Sequence, residues 1–304
     1  AARVTPGNID DHLDAVGSAD WVVEAVFEDP AVKHDLYARI EPLRRPGTLI
    51  SSNTSGIPVA ELVRTHSDEF ARDFTITHFF NPPRQMALLE VVAGDATASE
   101  IHERITQVAD RQLGKTVLDC RDTPGFIANR LGSHWMAVAA LEAFRAGLDI
   151  ETTDAIMSKP FGIPRTGVFG LFDLVGINLV PLLWPVLTRA LPADDAAQRY
   201  DLMADPVFTH LLDHGLVGRR GPGGFTRRKA PDGTKVDEVL DLDTLTYRAR
   251  TTPTDAAASA RDLPTLLATD SPGARWAWTV FAQVLDYACH IAPEVADDVE
   301  AVDD

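Results

Sequence analysis

The feature that most constrains this chain is a change of hydrophobic period near residue 122. Before that point, short apolar runs of strand length alternate with helical segments. Residues 21–27 (Trp-Val-Val-Glu-Ala-Val-Phe) read as a buried strand. Pro30 can open a helix that carries Val32, Leu36 and Ile40. Residues 48–52 form a second strand, ended by Asn53-Thr54-Ser55-Gly56, and residues 58–63 a short helix. Residues 74–80 form a third strand, stopped by Asn81-Pro82-Pro83, and residues 88–92 a fourth. Ser99 can cap a helix running to about Gln112, and residues 115–119 make a short fifth strand. Such alternation predicts an α/β layer with largely parallel strands.

After Asp122 the spacing becomes helical. Asp122-Thr123-Pro124 has the form of a helix start, with a polar cap and Pro in the first turn. Phe126, Ile127, Leu131, Trp135, Val138 and Leu141 follow at helical spacing, and Gly147 ends the run. Helical patterns continue to about Gly218, and Gly221-Pro222-Gly223-Gly224-Phe225 closes them. Residues 227–262 are polar and read as a linker or irregular segment. Residues 276–291 are apolar at helical spacing again. The expected organisation is an α/β domain over 1–122, a helical domain over 123–226, a linker over 227–262 and the beginning of a further helical region over 263–304. A chain of 304 residues suits about two domains.

The net charge of −17 argues against a nucleic-acid partner, because such a chain repels a phosphate backbone. Any anion site must be local, built from backbone N–H groups, a helix N-terminus or a few basic side chains. The longest mostly apolar stretch, residues 171–187, is broken by Asp173, Asn178, Pro181 and Pro185, so no membrane span is expected. The first residues lack the basic and apolar regions of a signal peptide. Cys120 and Cys289 stand far apart and in no CxxC pattern. They are expected to be buried free thiols in a reducing compartment, which places the chain in the cytoplasm.

Four groups of residues carry candidate chemistry. Residues 52–56 end a strand, where open α/β sheets place ligands, yet Ser, Asn, Thr and Gly also simply favour turns. His78 lies late in an apolar strand, and Glu90 lies in the next one among Leu88, Leu89, Val91 and Val92. A carboxylate inside an apolar strand needs a partner. Adjacent strands can supply the imidazole, orienting it as a general base for an alcohol proton; a satisfied core histidine and an edge glutamate are the other reading. Asn129 and Arg130 sit in the first turns of the long helix, either holding a substrate oxygen or capping. His210 and His214 are i, i+4 and could share a metal, but no third ligand accompanies them and a solvated helix end is favoured. No metal is expected.

These elements together resemble the 3-hydroxyacyl-CoA dehydrogenases of fatty-acid β-oxidation, from about residue 1 to 225. The segments that carry the likeness come in order: residues 22–28 (Val-Val-Glu-Ala-Val-Phe-Glu) with Lys33; Ser51-Ser52-Asn53-Thr54-Ser55; His78-Phe79-Phe80-Asn81-Pro82; Leu89-Glu90-Val91-Val92; and residues 122–130 (Asp-Thr-Pro-Gly-Phe-Ile-Ala-Asn-Arg). Residues 170–176 and 221–225 are similar to later family segments, with substitutions. The resemblance implies hydride transfer from C3 of a 3-hydroxyacyl-CoA to NAD. It implies His78 as the base, Glu90 as its orienting carboxylate, and Ser55 and Asn129 as groups on the reacting oxygen. Glu28, Lys33, Ser55 and Asn81 match positions that touch the cofactor. It also implies a homodimer through the helical part.

No GxGxxG occurs in the 304 residues. The sheet is therefore expected to be an incomplete Rossmann-type sheet lacking its first βαβ unit. The chain is expected to be a piece of a longer protein, one that could carry an enoyl-CoA hydratase domain. The alternative from another class is an inactive fragment serving as a helical interaction module. A metal hydrolase built on His210 and His214 is the third.

Overall fold

A computed structural model of the chain describes residues 3–163 and 166–303. Its contacts divide the chain into two units, Ala1–Asn129 with Ile291–Asp304, and Arg130–His290.

The first unit is built on a five-stranded sheet. In chain order it contains β1 (Trp21–Glu24), α1 (Pro30–Ile40), β2 (Leu49–Ser52), α2 (Val59–Val63), α3 (Asp68–Arg72), β3 (Phe74–Phe79), β4 (Leu88–Val92), α4 (Ser99–Leu113) and β5 (Thr116–Cys120). The strands lie in the order β1-β2-β3-β4-β5. Pairs β1–β2, β2–β3 and β4–β5 are parallel, and β3–β4 is antiparallel. The exception has a simple cause. Only residues 80–87 join β3 to β4, and a parallel connection needs a dozen residues or more. Every residue of β2 is buried, and its two serines are hydrogen-bonded, Ser51 to Trp21 and Thr77 and Ser52 to Glu24. Asp29 caps α1 by accepting from the Ala31 and Val32 amides, with Pro30 at the first helical position.

Several expected boundaries move. The first strand ends at Glu24 and is an edge strand, so Val23 and Phe27 are exposed rather than buried. Ser99 is the first residue of α4 rather than its cap, a position Ala98 fills without a side-chain bond. The long helix begins at Ala128, not at Pro124. Between them the chain makes a turn closed by Phe126 N–H to Thr123 O at 3.0 Å, with Gly125 and Phe126 both at positive φ. Asp122 caps a different helix, since its Oδ2 accepts from the Val59 amide of α2 at 2.9 Å. Burial pushes the Asp122 carboxyl up from its ordinary value.

The second unit takes most of α5 (Ala128–Arg145), then α6 (Ile150–Ile156), α7 (Phe169–Val175), α8 (Val180–Ala190) and α9 (Pro206–Asp213). Phe169, Phe172, Phe208 and Phe225 interlock in its core, with ring centroids 4.6–5.9 Å apart. Residues 227–262, expected as a linker, instead carry an antiparallel sheet of β6 (Thr226–Lys229), β7 (Lys235–Leu240) and β8 (Tyr247–Ala249). Only Val239 and Leu240 of these strands are buried, joining the helical core. Arg227 lies over the Tyr247 ring and pairs with Glu238, and Arg248 forks onto Glu151 at 2.6 and 2.9 Å. So polar a sheet, held by such side-chain pairs, leaves little apolar alternation to read.

The last elements are α10 (Leu263–Ala268), α11 (Pro272–Val295) and α12 (Glu300–Asp303). Residues 263–304 form no separate unit: they divide between the two, with Ile291–Asp304 grouped in the first. There the Arg121 amide donates to Val295 O at 2.8 Å and its guanidinium binds Asp297. Cys120 is buried, but Cys289 is exposed on α11, against expectation; both are free. Among the described residues no single helix is long and apolar enough to cross a membrane.

Candidate active site

The site is assembled within the first unit, where β1, β2 and β3 end. His78 and Glu90 are directly opposite in the β3–β4 register, so their side chains share one face. His78 Nδ1 lies 2.6 Å from Glu90 Oε2. Glu90 is fully buried and His78 nearly so. The other carboxylate oxygen, Oε1, accepts from the Ile127 amide at 3.0 Å and the Ala128 amide at 2.7 Å. Those are unpaired donors at the start of α5, where the helix dipole also favours an anion. The turn at Gly125 and Phe126 delays the helix and so turns these amides toward Glu90. A fully buried carboxylate is thereby satisfied on both oxygens.

This geometry assigns the imidazole tautomer. A carboxylate can only accept, so Nδ1 carries the proton and Nε2 is left as the acceptor. Nε2 makes no hydrogen bond to a described residue. The ring is held between Phe80 and Phe126, at centroid distances of 4.6 and 6.0 Å. The neighbouring Cys120 thiol is pushed well above its ordinary range, by burial first and by the Glu90 charge second, and stays neutral.

The loop after β2 brings the other expected residues together. Asn129 Nδ2 donates to Ser55 O at 3.3 Å, and the Ser55 amide donates to Glu28 Oε1 at 3.0 Å. Thr54 is buried and makes the turn itself: its Oγ1 accepts from the Gly56 and Ile57 amides and donates to Glu28. The Ser55 hydroxyl has no partner among the described residues. Asn53 Oδ1 accepts from the Phe79 amide at 3.0 Å, tying the ends of β2 and β3. Residues 52–56 are thus both a hydroxyl-built turn and a polar rim. Asn81 is exposed on the loop that follows His78 and Phe80.

Lys33 is buried beneath the rim. Its side chain is 1% exposed, and Nζ is bound by both oxygens of Glu24, at 2.8 and 3.1 Å, and by Glu28 at 3.2 Å. Glu28, by contrast, is 41% exposed. The rim therefore offers an exposed carboxylate, a hydroxyl and an amide at the carboxyl ends of parallel strands. That donor and acceptor set fits the nicotinamide riboside end of NAD. Two residues escaped the sequence reading: Glu24, a carboxylate in an apolar strand just as Glu90 is, and Thr54, hidden among turn-forming neighbours.

His210 and His214 lie in the second unit with ring centroids 4.2 Å apart, and His214 Nδ1 is 2.8 Å from His210 O. Among the described residues no group of three or more His, Cys, Asp or Glu is placed to hold a metal.

Comparison with known proteins agrees with this architecture. Residues 1–123 match the 3-hydroxyacyl-CoA dehydrogenase NAD binding domain, and residues 125–228 match the C-terminal domain of the same family. The chain belongs to the 3-hydroxyacyl-CoA dehydrogenase family. A Rickettsia felis protein assigned by name to the fatty acid oxidation complex trifunctional enzymes is 35% identical over 99% of this chain and 41% of its own length. A Caenorhabditis elegans protein assigned by name to the 3-hydroxyacyl-CoA dehydrogenases is 33% identical over 71% of this chain and 67% of its own. The crystal structure of (S)-3-hydroxybutyryl-CoA dehydrogenase from Ralstonia eutropha superposes with a TM-score of 0.60. It is 26% identical and covers 68% of this chain and 70% of that one. The chain spans about two fifths of the length of the first curated relatives it matches.

Proposed function

We propose that this chain performs the NAD-dependent oxidation of (3S)-3-hydroxyacyl-CoA to 3-ketoacyl-CoA in fatty-acid β-oxidation. The observation that carries the reading is the His78–Glu90 pair, with Nε2 left as the free acceptor. In this reading Nε2 accepts the proton of the C3 hydroxyl as the C3–H bond breaks. NAD, when bound, supplies the hydride acceptor. Glu90 balances the imidazolium that forms and keeps the ring oriented, as its two backbone donors keep the carboxylate itself in place. The Ser55 hydroxyl and the Asn129 amide position the substrate oxygen. Glu28, Lys33, Ser55 and Asn81 contact the cofactor.

The trifunctional relative supports a setting in fatty acid oxidation and further activities on the same polypeptide. An enoyl-CoA hydratase is the chemistry that would supply a 3-hydroxyacyl-CoA. A homodimer and a cytoplasmic location belong to the same proposal. The test is NADH oxidation by the full-length protein with acetoacetyl-CoA, which reads the reaction in reverse. Turnover that falls by about 10²–10⁴ in His78→Ala supports the reading. Absent turnover in the wild type, or a rate indifferent to His78, overturns it in favour of an interaction module.

A further inference from the structure

We propose that Lys115 is a positioning residue of the cofactor rim, which acts by holding the loop that carries Asn81. The inference takes its ligand from the dehydrogenase reading; the anchoring of the loop stands on geometry. Residues 80–87 join β3 to β4, and every side chain from Asn81 to Ala87 is exposed. None of those side chains makes a hydrogen bond or ion pair with a described residue. Within the loop, the Gln85 and Met86 amides close a turn on Pro82 O at 3.0 and 3.1 Å. A segment with no buried side chain is not fixed by packing, so its attachment to the sheet must come from elsewhere.

That attachment is Lys115, which is 9% exposed and follows Gly114, the left-handed residue that ends α4. Its own backbone is tied on both sides. The Lys115 amide donates to Ala109 O at 3.0 Å, and the Thr116 amide donates to Ala87 O at 2.9 Å. From this fixed base Nζ donates to Pro83 O and to Met86 O, the latter at 2.6 Å, and lies 5.7 Å from the centroid of the Phe79 ring. No carboxylate of a described residue pairs with it. An enclosed ammonium needs acceptors, and here both are carbonyls of one loop. The loop is thereby stapled from beneath by its backbone rather than by its side chains. Phe80, which precedes Asn81, packs on His78 at 4.6 Å. His78 and Glu90 themselves are held by the β3–β4 register and by the amides that start α5, not by Lys115. The staple therefore serves the binding of the cofactor through Asn81 and leaves the proton-transfer pair alone. A ligand that meets an ordered loop does not bear the entropy of ordering it.

The test combines NADH binding, steady-state kinetics with acetoacetyl-CoA and amide exchange of Gln85 and Met86, all in the full-length protein. Lys115→Met keeps the stem and loses both donors. It should weaken NADH binding and raise the KM for NADH about tenfold, as expected for loss of hydrogen bonds from a charged group. Exchange of the two amides should speed by a similar factor, while kcat stays within about threefold and its pH profile does not move. Lys115→Arg, which keeps the donors, should restore affinity to within about threefold of wild type. Lys115→Gln, with one donor group left, covers the case in which Lys115→Met does not fold; its KM should shift in the same direction by less. In an Asn81→Ala background, Lys115→Met should change NADH affinity less than about twofold. A lower melting temperature with an unchanged KM would make Lys115 a merely structural residue and overturn the proposal. Equal losses of affinity in both backgrounds, or unchanged exchange of Gln85 and Met86, would overturn it too. A wild type that binds no NADH would refute the dehydrogenase reading, while the two loop amides would still decide the staple.

Discussion

Two histidines, one in each unit, are almost fully buried and end in opposite chemical situations. His78 has a carboxylate 2.6 Å from Nδ1. His134, on α5, packs its ring on Tyr287 at 4.1 Å and edge-on against Tyr200 at 5.8 Å, and neither of its ring nitrogens has a hydrogen-bond partner. Close by, Arg130 binds Asp195 at 2.8 Å and the Tyr287 hydroxyl at 3.1 Å, so the charges around His134 are already matched to each other. Burial of an imidazole therefore does not by itself make a base. What distinguishes His78 is an acceptor on one nitrogen, which commits the proton there and leaves the other nitrogen to act.

The largest expected break in the comparison is Glu90→Gln. The glutamine oxygen can still accept from the Ile127 and Ala128 amides, but its NH₂ would donate to His78 Nδ1. That moves the imidazole proton to Nε2, where an acceptor is needed. Turnover should fall about 10²–10⁴-fold with little loss of fold, measured by steady-state rates beside a thermal melt. A rate within twofold of wild type would mean that the carboxylate does not set the tautomer.

The next effect belongs to His134. Burial, only partly offset by Asp195 and by the backbone of Gln283, depresses its pKa to about 4 from an ordinary 6.5. Between those values the unfolded chain holds a proton that the folded chain refuses, so stability falls as pH drops from about 6.5 toward 4. The contribution is at most about 3 kcal/mol. His134→Phe, which keeps the stack on Tyr287, should flatten that part of the pH–stability curve in thermal or denaturant melts. An unchanged slope would show that the ring finds a proton acceptor after all.

The smallest effect distinguishes the two thiols. Cys289 is exposed, whereas Cys120 is buried beside Glu90. A thiol reagent should label one cysteine in the folded protein and both in denaturant. Rapid labelling of Cys120 in the folded protein would mean that the interior behind Glu90 opens readily.

How much of this could be read beforehand differs residue by residue. The helix start at Pro30, the short strands and the switch to helical spacing are local signals, each contained within a few neighbouring residues. Glu90 stood out because a carboxylate among Leu and Val demands a partner. Glu24 met the same criterion and was passed over, since the strand carrying it read as part of a longer apolar run. The β6–β8 sheet was missed because its stabilising pairs, such as Arg227 with Glu238 and Arg248 with Glu151, are polar and partly distant in sequence.

The amino-acid order alone determined the α/β-then-helical plan, the need of Glu90 for a partner with His78 as a candidate, and the absence of a GxGxxG in these residues. Tertiary structure alone decided that β3 and β4 run antiparallel in the register that sets the pair face to face. It also decided that Glu90's second oxygen meets the start of α5, and that Lys33 turns inward to Glu24. The reason is physical. Period and capping are properties of adjacent residues, whereas register, burial and the partner of a charge depend on what a distant segment brings to the same place.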